Sequence, residues 1–308
     1  MKVAIIGRTE YLFNTAEDLL RSNHEIKAVV TAKAAPEYKR NEEDFRELAS
    51  GLDIPFFKSR TLDSPEIISA LNGLDIGISV NWVNMIQEKH IKLFRHGILN
   101  AHLGDLPRYR GNACPNWAII QGEKEVALSV HSMEGGTLDS GRIIVQEKYP
   151  IDTNTYIGDI YQWAEKAIPR AFLRALSLLE KDPNYKLKYA DPNSPEAFRC
   201  CPRRPEDSKI DWHQPAELIH RIIRASSEPL AGAFTFYQGE KMVIWHASLV
   251  EDDRKYLAVP GQIADIGEDG SVIVITGNGK LEIDDVEHKG IRRSPSYFIK
   301  SIRERLGV

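Results

Sequence analysis

Cysteine is scarce in this chain, and its placement argues against a disulfide scaffold. Three cysteines occur in 308 residues: Cys114 and the adjacent pair Cys200 and Cys201. Neighbouring cysteines rarely bridge one another, and none stands at zinc-ligand spacing, so no metal site is expected. Reduced thiols and a cytoplasmic location are the expectation. No apolar run approaches the roughly 20 residues of a membrane-spanning helix, and the opening "MKVAIIGRTEY" turns polar too early for a signal peptide. Neither sign of charge is in large excess. The 40 Lys+Arg against 44 Asp+Glu leave a formal net charge of −4, which gives no global pull toward nucleic acid or an anionic membrane. "IIGRTEY" lacks the GxGxxG fingerprint, which argues against a nicotinamide cofactor. Internal repeats and low-complexity tracts are missing too.

What is present is an ordinary globular balance, 42% hydrophobic and 27% charged, in a chain long enough for two domains. "KVAIIG" (2–7), "EIKAVVT" (25–31), "PFFK" (55–58) and "DIGISV" (75–80) read as short strands. Helical patterns separate them at 12–22, at 42–52, from Ser64-Pro65 onward and at 85–94. Continuous apolar runs bounded by glycine suit parallel strands covered on both faces. The alternation predicts a Rossmann-like α/β fold with a doubly wound, mostly parallel sheet. "EVALSVHSM" (125–133) and "GRIIVQEKYPI" (141–151) add strands. A helix over 154–181 carries one apolar stripe from Ile157 to Leu179, with Pro169 expected to kink it.

Composition then shifts to proline and charge, which marks 186–207 as a linker between a catalytic domain at 1–185 and a C-terminal domain at 208–308. The latter opens with an amphipathic helix at 214–226. Four or five short strands with glycine turns follow, the pattern of a small OB-like β-barrel.

Three segments hold residues able to do chemistry. "GILNAH" ends a strand, and positions i and i+2 of an extended segment face the same way, so Asn100 and His102 project together. An amide can bond an oxygen gaining negative charge, and an imidazole can take a proton. The pair alone reads equally as a polar strand end capped by its own turn. Asp139 lies in the glycine-flanked turn "GGTLDSG", where it either orients an imidazole or simply serves the turn. Between them, "LPRYRG" fixes Arg108, Tyr109 and Arg110 in a rigid turn, where the arginines either clamp an anion or are solvated.

Taken together, "NAHLGDLPRYRG" and "LDSGRII" resemble the N10-formyltetrahydrofolate-dependent formyltransferase family. Its pattern is Asn-x-His, then Ser-Leu-Leu-Pro-x-Tyr/Trp-Arg-Gly, then a distant Asp-x-Gly. Asn100, His102, Pro107, Tyr109, Arg110, Gly111, Asp139 and Gly141 fall on it. "RRPEDSKIDWHQPAELIHRIIRA" (203–225), "GAFTF" and "PGQI" are similar to the family's C-terminal domain. The likeness is strongest to the nucleotide-sugar N-formyltransferases, such as the formyltransferase part of the UDP-4-amino-4-deoxy-L-arabinose enzyme. The chain is also similar to methionyl-tRNA formyltransferase.

The resemblance implies that an amine attacks the formyl carbon of N10-formyltetrahydrofolate, the co-substrate. Asn100 would stabilise the oxyanion, His102 would act as base, and Asp139 would orient His102. It also implies that the loop after the fourth strand, with Asn81, Trp82, Val83 and Met85, lines the pterin pocket, although Trp82 reads equally as packing. One departure stands out: Gly104-Asp105-Leu106 replaces Ser-Leu-Leu. Asp105 is thereby placed on the acceptor side, beside Arg108, Tyr109 and Arg110. Arg203 and Arg204 are further candidates for an acceptor's pyrophosphate.

The acceptor expected from the likeness is an amino sugar carried on a nucleotide, with the product bound for surface polysaccharide such as lipopolysaccharide. Segment 201–308 holds about 15 Lys+Arg against about 17 Asp+Glu, too few cations for a polyanion platform. The stretch after the second strand, "TAKAAPEYKRNEEDF", lacks the glycine-rich basic character of the tRNA enzymes. Nucleic acid and membrane partners are therefore not expected, and a homodimer is expected by analogy alone. Methionyl-tRNA is the alternative acceptor, and a non-catalytic folate- or sugar-nucleotide-binding protein is the further alternative.

Overall fold

The computed structural model describes residues 1–36 and 38–308; Glu37, inside the stretch after the second strand, lies outside the described residues. Contacts divide the chain into two compact units. The first comprises 1–114, 125–150 and 161–201, and the second 115–124, 151–160 and 202–308.

The chain begins with β1 (Lys2–Gly7), α1 (Glu10–Leu20), β2 (Glu25–Thr31), α2 (Glu42–Gly51), β3 (Phe56–Lys58), α3 (Pro65–Leu71), β4 (Ile76–Val80), α4 (Glu88–Ile91) and β5 (Ile98–His102). Local sequence sets several of these boundaries. Asn41 caps α2 by accepting from the Glu43 N–H, while the Asp44 carboxylate accepts from the Asn41 N–H. Ser64 and Pro65 start α3 in the same economical way, with a capping hydroxyl and a ring whose missing N–H would have no helical partner. α4 is far shorter than the 85–94 pattern predicts. Its N-cap residue Gln87 makes no side-chain capping bond, and turns occupy either side of 88–91.

β6 (Arg110–Gly111), α5 (Cys114–Gln121), β7 (Glu125–Ser132), β8 (Gly141–Pro150), α6 (Ile157–Lys181), β9 (Lys188–Ala190) and β10 (Arg199–Cys200) follow. The first unit's sheet has the order β3-β2-β1-β4-β5-β7-β8-β9. Its first five strands pair in parallel, and β7, β8 and β9 are antiparallel. One face packs Leu12, Phe45 and Phe172 from α1, α2 and α6. The other packs Ile67 and Leu71 of α3 with Ile91 and Phe94. The sheet is therefore doubly wound, and α6 continues through Pro169 as one helix.

The segment expected as a linker, 186–207, carries ordered pairing. β9 extends the main sheet, and β10 pairs with β6 beside the arginine turn. Its proline and charge content thus belongs to short strands and turns of the first unit as far as Cys201.

The second unit contains α7 (Ala216–Ser226), β11 (Ala233–Tyr237), β12 (Glu240–Leu249), β13 (Ile263–Ile266), β14 (Val272–Ile275), β15 (Lys280–His288) and β16 (Ile291–Arg293). These strands form an antiparallel ladder, β11-β12-β15-β14-β13, with β16 on β15. Alternate residues such as Met242, Ile244, Val272, Val274, Leu281 and Ile283 fill a core with Ile219 and Ile223 of α7. Among the described residues, no helix is long and apolar enough to cross a membrane. Phe172 lies fully buried against the first sheet. Phe172→Ala is expected to lower stability by about 3–5 kcal/mol, read as an earlier urea transition.

Candidate active site

In a sheet of order 3-2-1-4-5, ligands bind beyond the carboxyl ends of the strands near the reversal. β4 and β5 both end there. Their parallel register sets Ser79 beside Asn100, and the antiparallel register of β5 on β7 sets Asn100 opposite His131 and His102 opposite Ser129. β8 then sets Gln146 opposite Ser129. Two adjacent polar rows, Ser79–Asn100–His131 and His102–Ser129–Gln146, thus share one face. Leu99 of β5 joins the other face's core.

Hydrogen bonds assign the protons of these rows. His131 Nδ1 lies 3.1 Å from the Ser132 carbonyl and 3.0 Å from the Ser140 carbonyl. Carbonyls only accept, so Nδ1 carries the hydrogen and Nε2 is the acceptor. Asn100 Nδ2 stands 3.3 Å from that Nε2 and donates to it, which leaves one amide N–H for a further acceptor. His102 Nε2 lies 2.7 Å from the Tyr109 carbonyl and donates to it. The second ring nitrogen, Nδ1, faces Asp139 Oδ2 at 3.6 Å.

Asp139 sits between the two imidazoles, with Oδ1 3.8 Å from His131 Nε2. Its backbone is in the left-handed region (φ 48°), uncommon for a residue other than glycine. The surrounding structure holds it there. The Gly111 N–H donates to Oδ2 at 2.8 Å, and Arg110 Nε donates to the Leu138 carbonyl at 2.9 Å. Gly141 (φ 111°) closes the turn, where a Cβ would stand 2.1 Å from the Ser132 carbonyl. Asn100, His102 and Asp139 are therefore brought together, as the sequence pattern expects.

The remaining sequence candidates divide. Arg110 braces the Asp139 turn. Tyr109 is buried, its ring edge-on to Phe198 at 4.7 Å, so its backbone carbonyl rather than its ring meets His102. Asp105 and Arg108 are half-buried and face each other at 3.8 Å. In the loop after β4, Asn81 (φ 51°) and Met85 are exposed, and Trp82 and Val83 are half-buried, with Trp82 packed against the α3-side core. Arg203 is engaged within the second unit, donating to the Asp207 carbonyl at 3.1 Å and lying over Trp117. Arg204 is exposed.

Sequence reasoning missed His131 and Ser129. The signal was available: in "ALSVHS", polar residues recur at every second position of an otherwise apolar strand, and that polar face meets Asn100 and His102.

Burial holds His131 below the ordinary imidazole range, opposed by Asp139 and reinforced by His102. Well above pH 6.5 the ring is neutral in folded and unfolded chains alike. As pH falls below that value, the unfolded chain takes up a proton that the folded site refuses, so stability declines with falling pH. His131→Gln is expected to flatten that decline in urea titrations across pH. Part of the slope should persist, because burial lowers His24 and His220 as well.

Comparisons with known proteins give the chain a family. A model of the formyl transferase family matches residues 1–176, and one of the formyl transferase C-terminal domain matches 203–302. A methionyl-tRNA formyltransferase of Alkaliphilus oremlandii is 30% identical over 298 residues, covering 95% of this chain and 94% of that protein. The structure of WlaRD, a sugar 3N-formyltransferase solved with dTDP and 5-N-formyl-THF, superposes with a TM-score of 0.68 at 19% identity. That match covers 92% of this chain and 97% of WlaRD. HypX from Aquifex aeolicus, solved in complex with tetrahydrofolic acid, superposes with a TM-score of 0.61 at 18% identity. There, 98% of this chain spans about half of HypX, 47% of its length. With both family models matched in order and the Asn100, His102 and Asp139 side chains gathered at one strand end, the chain belongs to the formyl transferase family.

Proposed function

We propose that this enzyme transfers the formyl group of N10-formyltetrahydrofolate to the amine of a nucleotide-linked amino sugar. Formyl transfer is the family's reaction and N10-formyltetrahydrofolate its donor. The residues present fit such a donor. Asn100 keeps one N–H for the formyl oxygen, and the loop at 81–85 is without regular secondary structure, so its backbone groups suit a pterin ring. In the reaction, the acceptor nitrogen attacks the formyl carbon and the oxygen gains negative charge, which the Asn100 N–H stabilises. His102 takes the amine proton and returns it to N10 as the C–N10 bond breaks. Asp139 stabilises the transient imidazolium. His102→Ala is expected to cut turnover by roughly 10²–10⁴-fold while tetrahydrofolate binding by calorimetry stays near wild type. Turnover close to wild type would refute the assignment.

The observation that carries the sugar acceptor is the charge pattern of the second unit. Segment 201–308 holds about 15 Lys+Arg against about 17 Asp+Glu, and four of those cations sit on acids: Arg254 on Asp252 and Asp265, Lys280 on Asp252, Lys289 on Glu240, and Arg292 on Glu228 and Asp285. A transfer RNA platform calls for an excess of cations over acids along its phosphates. The sugar substrate of WlaRD supports the same reading. Methionyl-tRNA is the second reading, favoured by the 30% identity to a methionyl-tRNA formyltransferase across nearly the whole chain.

Release of tetrahydrofolate is the assay that separates them, with dTDP- and UDP-linked amino sugars and methionyl-tRNA as acceptors. Turnover with an amino sugar, and little change between 50 and 200 mM salt, is the expected result. Turnover with methionyl-tRNA alone, falling steeply with salt, would overturn the sugar reading.

A further inference from the structure

The arginine turn and β10 build a second surface beside the catalytic side chains, and all of it lies in the first unit. β10 runs parallel to β6, with Arg199 beside Arg110 and Cys200 beside Gly111. The Arg110 N–H donates to the Phe198 carbonyl at 3.2 Å, and the Asn112 N–H to the Cys200 carbonyl at 3.1 Å. The approach is close: a Cβ at Gly111 (φ 102°) would stand 2.5 Å from the Cys200 carbonyl oxygen. The same turn reaches the site through the Tyr109 carbonyl, which accepts from His102 Nε2 at 2.7 Å. Backbone bonds therefore hold Phe198 at a fixed place, next to the residue that orients His102.

The Phe198 ring meets Tyr109 edge to face, with centroids 4.7 Å apart, yet 43% of Phe198 stays exposed. It lies outside the two cores that cover the faces of the sheet. The exposed part of the ring gives the fold no burial energy, although the backbone fixes where it stands. Arg108 brings a cation to the same place. Its guanidinium carbon is 5.4 Å from the centre of the Tyr109 ring and 6.0 Å from that of Phe198. Asp105 Oδ2, 3.8 Å from Arg108 Nη1, occupies only part of a fork with five N–H donors. An aromatic face with a guanidinium beside it fits one ligand chemistry, a base joined to phosphate. An amine carrying no nucleotide would use neither group.

We infer that Phe198 and Arg108 form the nucleotide subsite of the acceptor: the base stacks on the exposed part of the Phe198 ring, and Arg108 donates to the phosphates. The inference rests on the nucleotide-linked acceptor proposed above and names the residues that take the nucleotide. With base and phosphates held at the arginine turn, the sugar's amine is delivered toward Asn100 and His102, whose ring the same turn fixes. Phe198 and Arg108 do not touch the reacting atoms, so both act on acceptor affinity rather than on the chemical step. A transfer RNA also carries bases and phosphates. The charge balance of segment 201–308 favours the sugar nucleotide, and methionyl-tRNA is an outcome of the test.

The test uses the full chain, with Phe198→Ala, Phe198→Trp and Arg108→Gln beside the wild type. Affinities for dTDP, UDP, GDP and tetrahydrofolate are measured by calorimetry. Phe198→Ala is expected to weaken the best-bound nucleotide about 10–100-fold, the scale of a lost base–aromatic stack, and Phe198→Trp to keep it within about threefold. Arg108→Gln is expected to weaken the same nucleotide about tenfold and to reduce the salt dependence of its binding. Tetrahydrofolate affinity should stay within about threefold throughout, and the loss in turnover should fall on acceptor KM more than on kcat, a split that general misfolding does not give. One readout needs no variant to fold: NMR cross-relaxation in the wild type between base protons of the bound nucleotide and phenylalanine ring protons. Its absence would overturn the inference. An enzyme that formylates an amino sugar with KM and nucleotide affinity unmoved by Phe198→Ala would refute this inference alone. A wild type that binds none of the three diphosphates and formylates methionyl-tRNA alone would overturn it together with the sugar reading beneath it.

Discussion

The pairing of β5 with β7 is the constraint on which the site depends. It places Asn100 opposite His131 and His102 opposite Ser129. Side chains alternate faces along a strand, so a slip of one residue would turn Asn100 and His102 into the apolar core that holds Leu99. The apolar residues of β7, Leu128 and Val130, bury on that core and so fix the register. Hydrophobic burial thus sets the polar alignment, and the polar groups need only be satisfied within it.

Satisfaction comes from backbone rather than from a network of free side chains. His131 is oriented by two carbonyls, His102 by one, and Asp139 by a backbone N–H. Such partners move only with the sheet or the turns that carry them. The arginine turn and the Asp139 turn are joined by Arg110 on the Leu138 carbonyl and by Gly111 on Asp139. β10 pairs with β6, tying segment 199–200 to the same place. Preorganisation of this kind lets an enzyme stabilise charge without rearranging at the moment of reaction.

Much of this was legible in the sequence. Apolar runs between helical patterns gave the parallel strands, and the i, i+2 spacing gave the shared face of Asn100 and His102. Asp139 was found through its place in a known pattern, because a carboxylate in a glycine turn carries no chemical signal by itself. His131 escaped because cross-strand register is a tertiary property, invisible until β5 and β7 are paired. The tyrosine of "PRYRG" reads as a candidate substrate contact; in the structure its backbone carbonyl meets His102 while its ring is buried. Side-chain identity says nothing of carbonyl direction. Segment 186–207 read as a linker since two- and three-residue strands leave no periodicity.

The formyl donor is proposed to sit at the ends of β4 and β5, with its formyl group on Asn100 and His102. A crystal structure of the full chain with 5-formyltetrahydrofolate tests it most directly. The account predicts the pterin against residues 81–85 and a formyl oxygen about 3 Å from Asn100 Nδ2, within reach of the His102–Asp139 pair. A folate bound elsewhere, with Asn100 and His102 facing empty solvent, would contradict it.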